Sequence, residues 1–348
     1  MKVLCSIAVS GKSGASPQSI LVCNELKKRG VEVALLNVGP FNVKHTEPYF
    51  ESEVEGLKIL YPIGSIIKTV RAWAPDVFIA YTLHGNVYRE IKQIMKICPV
   101  VVRLGINLIE LMVMGTYQLT LPGVVSLLRS VDHVACGSVN TVNQILGLDI
   151  PREKTSYIPT AINRSKFKIS NCTDPTILTM GRVEAIKNHI TTIQIFNLVK
   201  QSIPEAELAI AGSGGTFAQI LEQIMKDMKL KNYKFTGFVK DLNFLFSEVS
   251  VFVLPSISEN MPGSVLEAMA CGIPCVISDA GWGNTFESVL KAKHDDPKGF
   301  ADHIIRLLKD RDYWLKIRNA QLEELDQKFR LEETIDKYMS LFEKLVRK

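Results

Sequence analysis

Several features are missing from this 348-residue sequence, and each absence removes a class of protein. There is no disulfide framework. The seven cysteines are an odd number scattered from Cys5 to Cys275, which reads as reduced, buried thiols in a cytoplasmic protein. Cys271 and Cys275 stand four apart with no second Cys or His pair beside them, so a zinc site is not expected there. No Lys/Arg cluster is interleaved with aromatics, and nucleic acid is not among the expected partners. No apolar run is unbroken over a membrane's thickness. Between Leu104 and Leu128 the only charged side chain is Glu110, yet Gly105, Asn107, Gly115, Pro122 and Gly123 interrupt the stretch. What remains for it is an apolar groove, a membrane-resting surface or a buried helix pair. Met1-Lys2 leads straight into VLCSIAVS, which is short and reads as a first strand rather than a signal peptide.

Two glycine motifs are also incomplete. SGKSGAS follows the first strand, but a phosphate loop needs a glycine where Ser6 stands, and a helix expected over Ile20–Arg29 starts too late. Gly212, Gly214 and Gly215 do not complete a dinucleotide fingerprint. That counts against a nucleotide-dependent oxidoreductase.

What is present is ordinary in bulk and informative in order. Hydrophobic residues make up 47% and charged residues 22%, a soluble globular composition with length enough for two cores. The charge is lopsided. Residues 1–165 hold 17 Lys and Arg against 12 Asp and Glu, whereas 166–348 hold 24 of each. A basic surplus in one half suits a phosphate-bearing acceptor, an anionic membrane face or merely a solvated lysine surface. Strand-like Val3–Val9 and Val31–Leu36 flank the expected helix, which is βαβ logic and predicts a parallel sheet. Later strands are expected at VFIAY after Asp76, with His84 just past the end, and at Pro99–Leu104, ending in Gly105.

The second half repeats the pattern with chemistry at the strand ends. Thr176–Met180 ends in Gly181-Arg182, with Lys187 before a helix starting near Asn188. Glu207–Ile210 is closed by AGSGG, and KFTG is followed by Phe238-Val239. A helix over Asp241–Val249 turns Leu242, Leu245, Phe246 and Val249 to one face, which reads as core. Val251–Leu254 is a strand closed by Pro255 and Ser256. Pro262 and Gly263 open a helix that Gly272 and Pro274 stop, and a second buried strand begins at Pro274. Glu259 and Glu267 bracket the helix start, where open α/β sheets hold anions.

LPS…E..PGSVLEAMACG.P…SD, together with Gly181-Arg182 and Lys187, resembles the donor-site segments of retaining glycosyltransferases of family 4. The resemblance is specific over residues 170–280 and covers 1–165 only in outline. It implies an α/β GT-B fold, two Rossmann-like domains facing across a cleft. The expected division is 1–168, 169–330 and a C-terminal helix, 331–348, crossing back to the first domain. Pro159, Ile162 and Phe167 match the family's interdomain segment, and the polar Lys168–Asp174 is the linker candidate.

The implied reaction moves a sugar from a UDP-, GDP- or ADP-sugar to a hydroxyl of a glycan, lipid-linked or small-molecule acceptor, with retention. Arg182 and Lys187 would stabilise the leaving diphosphate, and Glu259 would hold donor-sugar hydroxyls. Glu267 would accept the ribose hydroxyls. Gly14, Gly181, Gly212, Ser213, Gly214, Phe238, Val239, Met261, Pro262, Gly263, Ser264 and Val265 would line the donor site. No Asp-x-Asp motif stands at a strand end, consistent with the family's independence of metal, and no cofactor is implied. Where many members carry a sugar-contacting histidine this chain has Gly105, which leaves His84 or Glu110 as substitutes. After Asp279 the family's Gly-rich strand is cut short, so an edge strand is expected lost or shortened. A cytoplasmic protein, peripheral at the membrane's inner face through its first domain, fits these features. A GT-B protein that binds a nucleotide sugar without turnover is the alternative.

Overall fold

A computed structural model describes residues 1–7, 15–38, 54, 56–62, 65–81, 85–105, 120–280 and 282–347. Chain contacts divide it into two compact units, Met1–Ala161 with Leu331–Lys348, and Ile162–Arg330.

The first unit is built on β1 (Lys2–Ile7), α1 (Ala15–Lys28), β2 (Glu32–Asn37), β3 (Lys58–Leu60), α2 (Ile66–Trp73), β4 (Val77–Ala80), α3 (Gly85–Ile94) and β5 (Val100–Leu104). It continues through α4 (Leu121–Ser130), β6 (His133–Cys136), α5 (Val139–Leu146) and β7 (Thr155–Tyr157). Its seven strands lie in the order β3-β2-β1-β4-β5-β6-β7, all parallel. Successive strand residues alternate between two cores. Leu4, Phe78 and Val102 pack with α2, α3 and α4, while Val3, Ile79 and Val101 face α1 and the last helix. α1 begins at Ala15, not near Ile20. The late-helix argument against a phosphate loop therefore fails, and the argument from Ser6 stands.

The second unit runs through β8 (Thr176–Met180), α6 (His189–Ser202), β9 (Glu207–Ala211), α7 (Gly215–Asp227), β10 (Tyr233–Gly237), α8 (Leu242–Ser247) and β11 (Val251–Leu254). It ends with α9 (Gly263–Ala270), β12 (Cys275–Ser278), β13 (Leu290–Ala292), α10 (Pro297–Lys309) and α11 (Arg311–Lys328). The strand order is β10-β9-β8-β11-β12-β13, again parallel throughout. Val251 and Val253 face one core and Phe252 and Leu254 the other. That period of two with both faces apolar is what a sheet covered by helices on each side requires. Both units are thus Rossmann-like, and β13, at the edge of the second sheet, is three residues long.

Lys168–Asp174 is not a free linker. The Lys168 N–H donates to Asn243 Oδ1 at 2.7 Å and the Ser170 N–H to the Cys271 carbonyl at 2.8 Å, which ties the stretch to the second unit. α12 (Leu331–Val346) belongs to the first unit, where Leu331, Ile335, Tyr338 and Phe342 join the core against β1 and β4. Buried side chains of this size contribute about 1.5–3 kcal/mol each, as an upper estimate. Tyr338 also meets the Tyr81 hydroxyl at 3.3 Å.

Candidate nucleotide-sugar site

The strand order of the second unit reverses between β8 and β11, and ligands of open α/β sheets sit at the carboxyl ends flanking such a reversal. The loop after β8 carries Gly181, Arg182 and Lys187, and the loop after β11 carries Glu259. The Lys187 ammonium and the Glu259 carboxylate form an ion pair across this point. Their side chains are only 15% and 10% exposed, so the pair is largely withdrawn from water. Ser256 Oγ donates to the same Glu259 oxygen at 2.8 Å, and Ser278 Oγ donates to the Ser256 carbonyl at 2.5 Å. Both serines are fully buried. The carboxylate is therefore positioned by the sheet rather than by a loop alone.

Backbone bonds stitch the strand-end loops together. Gly181 N–H donates to the Ala211 carbonyl at 2.9 Å, Val183 N–H to Ser213 at 3.0 Å, and Gly212 N–H to Gly237 at 2.8 Å. Ile257 N–H donates to the Ile186 carbonyl at 2.9 Å, joining the Lys187 turn to the Glu259 loop. This closeness demands glycine. A Cβ on Gly212, whose φ is +140°, would sit 1.8 Å from the Gly181 oxygen, and one on Gly214 would sit 2.2 Å from Val183 Cβ. Lys187 lies across Gly181, with Cε 3.3 Å from where a Cβ would stand.

Asn188, in the left-handed region at φ +55°, ends the Lys187 turn and donates to the His294 carbonyl at 2.8 Å. His189 is buried beneath the loop, with Nε2 3.5 Å from the Arg182 carbonyl. Burial pushes its imidazole down to about 4, assisted by the charge on Lys187 and opposed by the Arg182 carbonyl. It is neutral at physiological pH, and the cations beside it gain no third charge to repel. Arg182 is half exposed and pairs with Glu184 at 2.7 Å. It is not held by Glu259.

α9 starts at Gly263 behind Pro262, with no side chain capping its first turn. The Val265 N–H donates to the Pro262 carbonyl at 3.2 Å and its side chain is core, so among these residues the amides of Gly263 and Ser264 lead the helix. A Cβ on Gly263 would meet nothing within 4 Å, which leaves its face open. Met261 is buried in the core. Glu267 lies one turn into α9, close enough to Cys271 to help burial push that thiol to about 12. Phe238 is 40% exposed after β10, and Val239 packs at the core's edge.

Gly14, His84 and Glu110 lie outside the described residues. Gly105 is described and exposed, with open space where a side chain would begin. Sequence reasoning overlooked Ser256, Ser278, Asn188 and His189. Only Ser256 carried a signal, three residues before Glu259. No group of three or more His, Cys, Asp or Glu side chains is placed to hold a metal ion among the described residues, and none of their helices is long and apolar enough to cross a membrane.

Residues 174–310 match the family described as Glycosyl transferases group 1. The chain is 27% identical over 171 residues, 47% of its length, to an Escherichia coli UDP-Gal:alpha-D-GlcNAc-diphosphoundecaprenol alpha-1,3-galactosyltransferase. It is 25% identical over 179 residues, 49% of its length, to the N-acetyl-alpha-D-glucosaminyl L-malate synthase of Bacillus anthracis. The matches span 44% and 46% of those relatives, less than half of each. Among solved structures, Anabaena HepE in complex with UDP and glucose superposes with a TM-score of 0.83 at 17% identity, over 99% of this chain and 100% of that one. TarM of S. aureus, in a complex containing UDP, gives 0.80 at 10% identity, over 98% and 99%. These likenesses establish the GT-B fold.

Proposed function

We propose that this chain, a glycosyl transferases group 1 member over residues 174–310, transfers a sugar from a nucleotide sugar to an acceptor hydroxyl. The observation that carries the reading is the Lys187–Glu259 pair at the β8/β11 reversal, set above a cradle that only glycine fits. A nucleoside diphosphate gains negative charge as its bond to the sugar breaks. A cation brought to that charge favours the transition state over the bound donor, because the charge it meets grows as the bond breaks.

Lys187 acts as a point charge on the diphosphate and Arg182 as a fork. The α9 amides of Gly263 and Ser264 add their partial positive charge. Glu259, released from Lys187 by the phosphates, accepts hydroxyls of the sugar, and Glu267 accepts those of the ribose. The transfer proceeds with retention and without metal, the leaving diphosphate taking the acceptor proton. UDP is the favoured nucleotide, supported by the UDP in the HepE and TarM complexes and by the UDP-galactose donor in the name of the Escherichia coli relative. That relative's name also favours a lipid-linked glycan as acceptor.

The test is thermal unfolding with UDP, GDP and ADP and their sugars, followed by donor consumption in the wild type and Glu259→Ala. A ligand at one hundred times its dissociation constant stabilises by about 2.7 kcal/mol. UDP and a UDP-sugar are expected to raise the midpoint. Absence of response to every nucleotide, or donor consumption that survives Glu259→Ala, would sink the proposal.

A further inference from the structure

The basic surplus of the first half of the sequence gathers on one layer of the first unit. α2, α3 and α4 pack side by side over the core formed with β4, β5 and β6, and their outer faces meet solvent. Lys68 and Arg71 project from α2, Arg89 and Lys92 from α3, and Lys96 from the turn after it, all exposed. No ion pair engages any of these five among the described residues. The acid within the three helices is Glu90, and it is spent inward. Its carboxylate accepts from Ser65 Oγ at 2.8 Å and from the Ile67 N–H at 2.7 Å, closing the start of α2. Arg129 of α4, by contrast, has Asp149 at 3.7 Å.

Between α3 and α4 lies a cavity of about 200 Å³ lined by Tyr88, Arg89, Lys92, Gly123, Ser126 and Leu127. A Cβ on Gly123 would stand 2.7 Å from the Tyr88 hydroxyl, so the glycine is what leaves that hydroxyl room at the cavity. Leu121, 37% exposed, and Pro122 sit at the head of α4 beside it. A single soluble phosphate would engage two or three donors. Five unpaired cations spread over neighbouring helices, which pack about 8–10 Å apart, suit a surface bearing many phosphates.

We propose that the α2–α3–α4 face docks on an anionic lipid bilayer, with one phosphate headgroup seated between α3 and α4 against Arg89, Lys92 and the Tyr88 hydroxyl. The idea takes its biological sense from the sugar-transfer reading, since a lipid-linked acceptor must be met at a membrane, but the binding stands apart from it. Each lysine or arginine near an anionic leaflet contributes about fivefold in affinity, and the attraction is screened by salt.

The experiment is co-sedimentation of the full chain with phosphatidylcholine vesicles, with and without about 30% phosphatidylglycerol, at about 0.1 M and 0.5 M salt, spanning strong and weak screening. Expected are binding to the anionic vesicles alone, release at the higher salt, and a loss on the order of a hundredfold for Lys68→Glu/Arg89→Glu/Lys92→Glu. The triple Lys231→Glu/Lys309→Glu/Lys316→Glu, exposed lysines of the second unit, is expected to bind as the wild type does. The midpoint shift with UDP, read on every variant, reports separately on the nucleotide site. Wild-type binding that ignores lipid charge or salt overturns the inference, and this arm needs no variant to fold. Equal losses from the two triples, or displacement from vesicles by millimolar inorganic phosphate, overturn it as well, the last by making the face a site for one soluble anion.

Discussion

Glu259→Gln keeps the shape of the side chain at the β8/β11 reversal and removes its charge. The Lys187 ammonium, 15% exposed, then faces an amide oxygen in place of a carboxylate, while Ser256 Oγ keeps an acceptor. Losing one partner of a buried pair outright costs about 3–5 kcal/mol. Retention of a neutral hydrogen bond recovers part of that, leaving a loss of about 1–3 kcal/mol. For a unit of this size the midpoint should fall by about 3–10 °C. The same change makes Lys187 available. In the wild type, UDP must draw the ammonium from Glu259, whereas in the variant the phosphates relieve an unsatisfied cation. UDP should therefore bind Glu259→Gln about fivefold more tightly, roughly 1 kcal/mol, and restore more of its lost stability than it adds to the wild type. Sugar transfer should meanwhile fall on the order of a hundredfold, because the charged acceptor proposed for the sugar hydroxyls is gone. Calorimetry with UDP and thermal unfolding with and without it read both quantities. If UDP binds the variant more weakly than the wild type, Glu259 supports the diphosphate rather than the sugar, and the assignment of the two ends is wrong.

Three further outcomes follow from the same geometry. His189 has its folded value lowered to about 4 by burial. The unfolded chain therefore binds the extra proton first, and stability present above pH 6.5 is lost as pH falls from about 6.5 to about 4. The full loss is about 3 kcal/mol, and urea unfolding at stepped pH should show a shallower dependence in His189→Gln. Gly212→Ala would place Cβ 1.8 Å from the Gly181 oxygen, costing about 2–5 kcal/mol from clash and backbone strain; a midpoint within a degree of wild type would refute the close approach. Arg182→Ala, at a side chain 41% exposed and paired only at the surface with Glu184, should leave stability within about 0.5 kcal/mol. It should still raise the transfer barrier by about 3 kcal/mol, so kinetics and unfolding should part company.

Much of the second unit could be read from the chain by itself. Val251–Leu254 and Thr176–Met180 are strands to the residue, because apolar runs closed by proline, glycine and serine leave little choice of where a buried strand ends. The glycines after β8 and β9 and the Pro262–Gly263 helix start were legible for the same reason: backbone requirements are local. The start of α1 was misplaced because the apolar period was read from Ile20, whereas the helix begins at Ala15, ahead of that run.

What only the tertiary structure decided is how charges separated along the chain are matched. The resemblance to family 4 placed Arg182 and Lys187 together as phosphate cations and Glu259 with the sugar. In the fold Lys187 pairs with Glu259 and Arg182 with Glu184. That choice depends on β8 and β11 being neighbours although about 70 residues separate their loops, a consequence of strand order that no local pattern encodes. Ser278 and His189 were invisible for a related reason, as ordinary residue types acquire a task only from what buries them. The first half of the sequence declared its surplus of positive charge. Only the packing of α2, α3 and α4 into one layer, with Glu90 turned inward, decided that the charge would form a face.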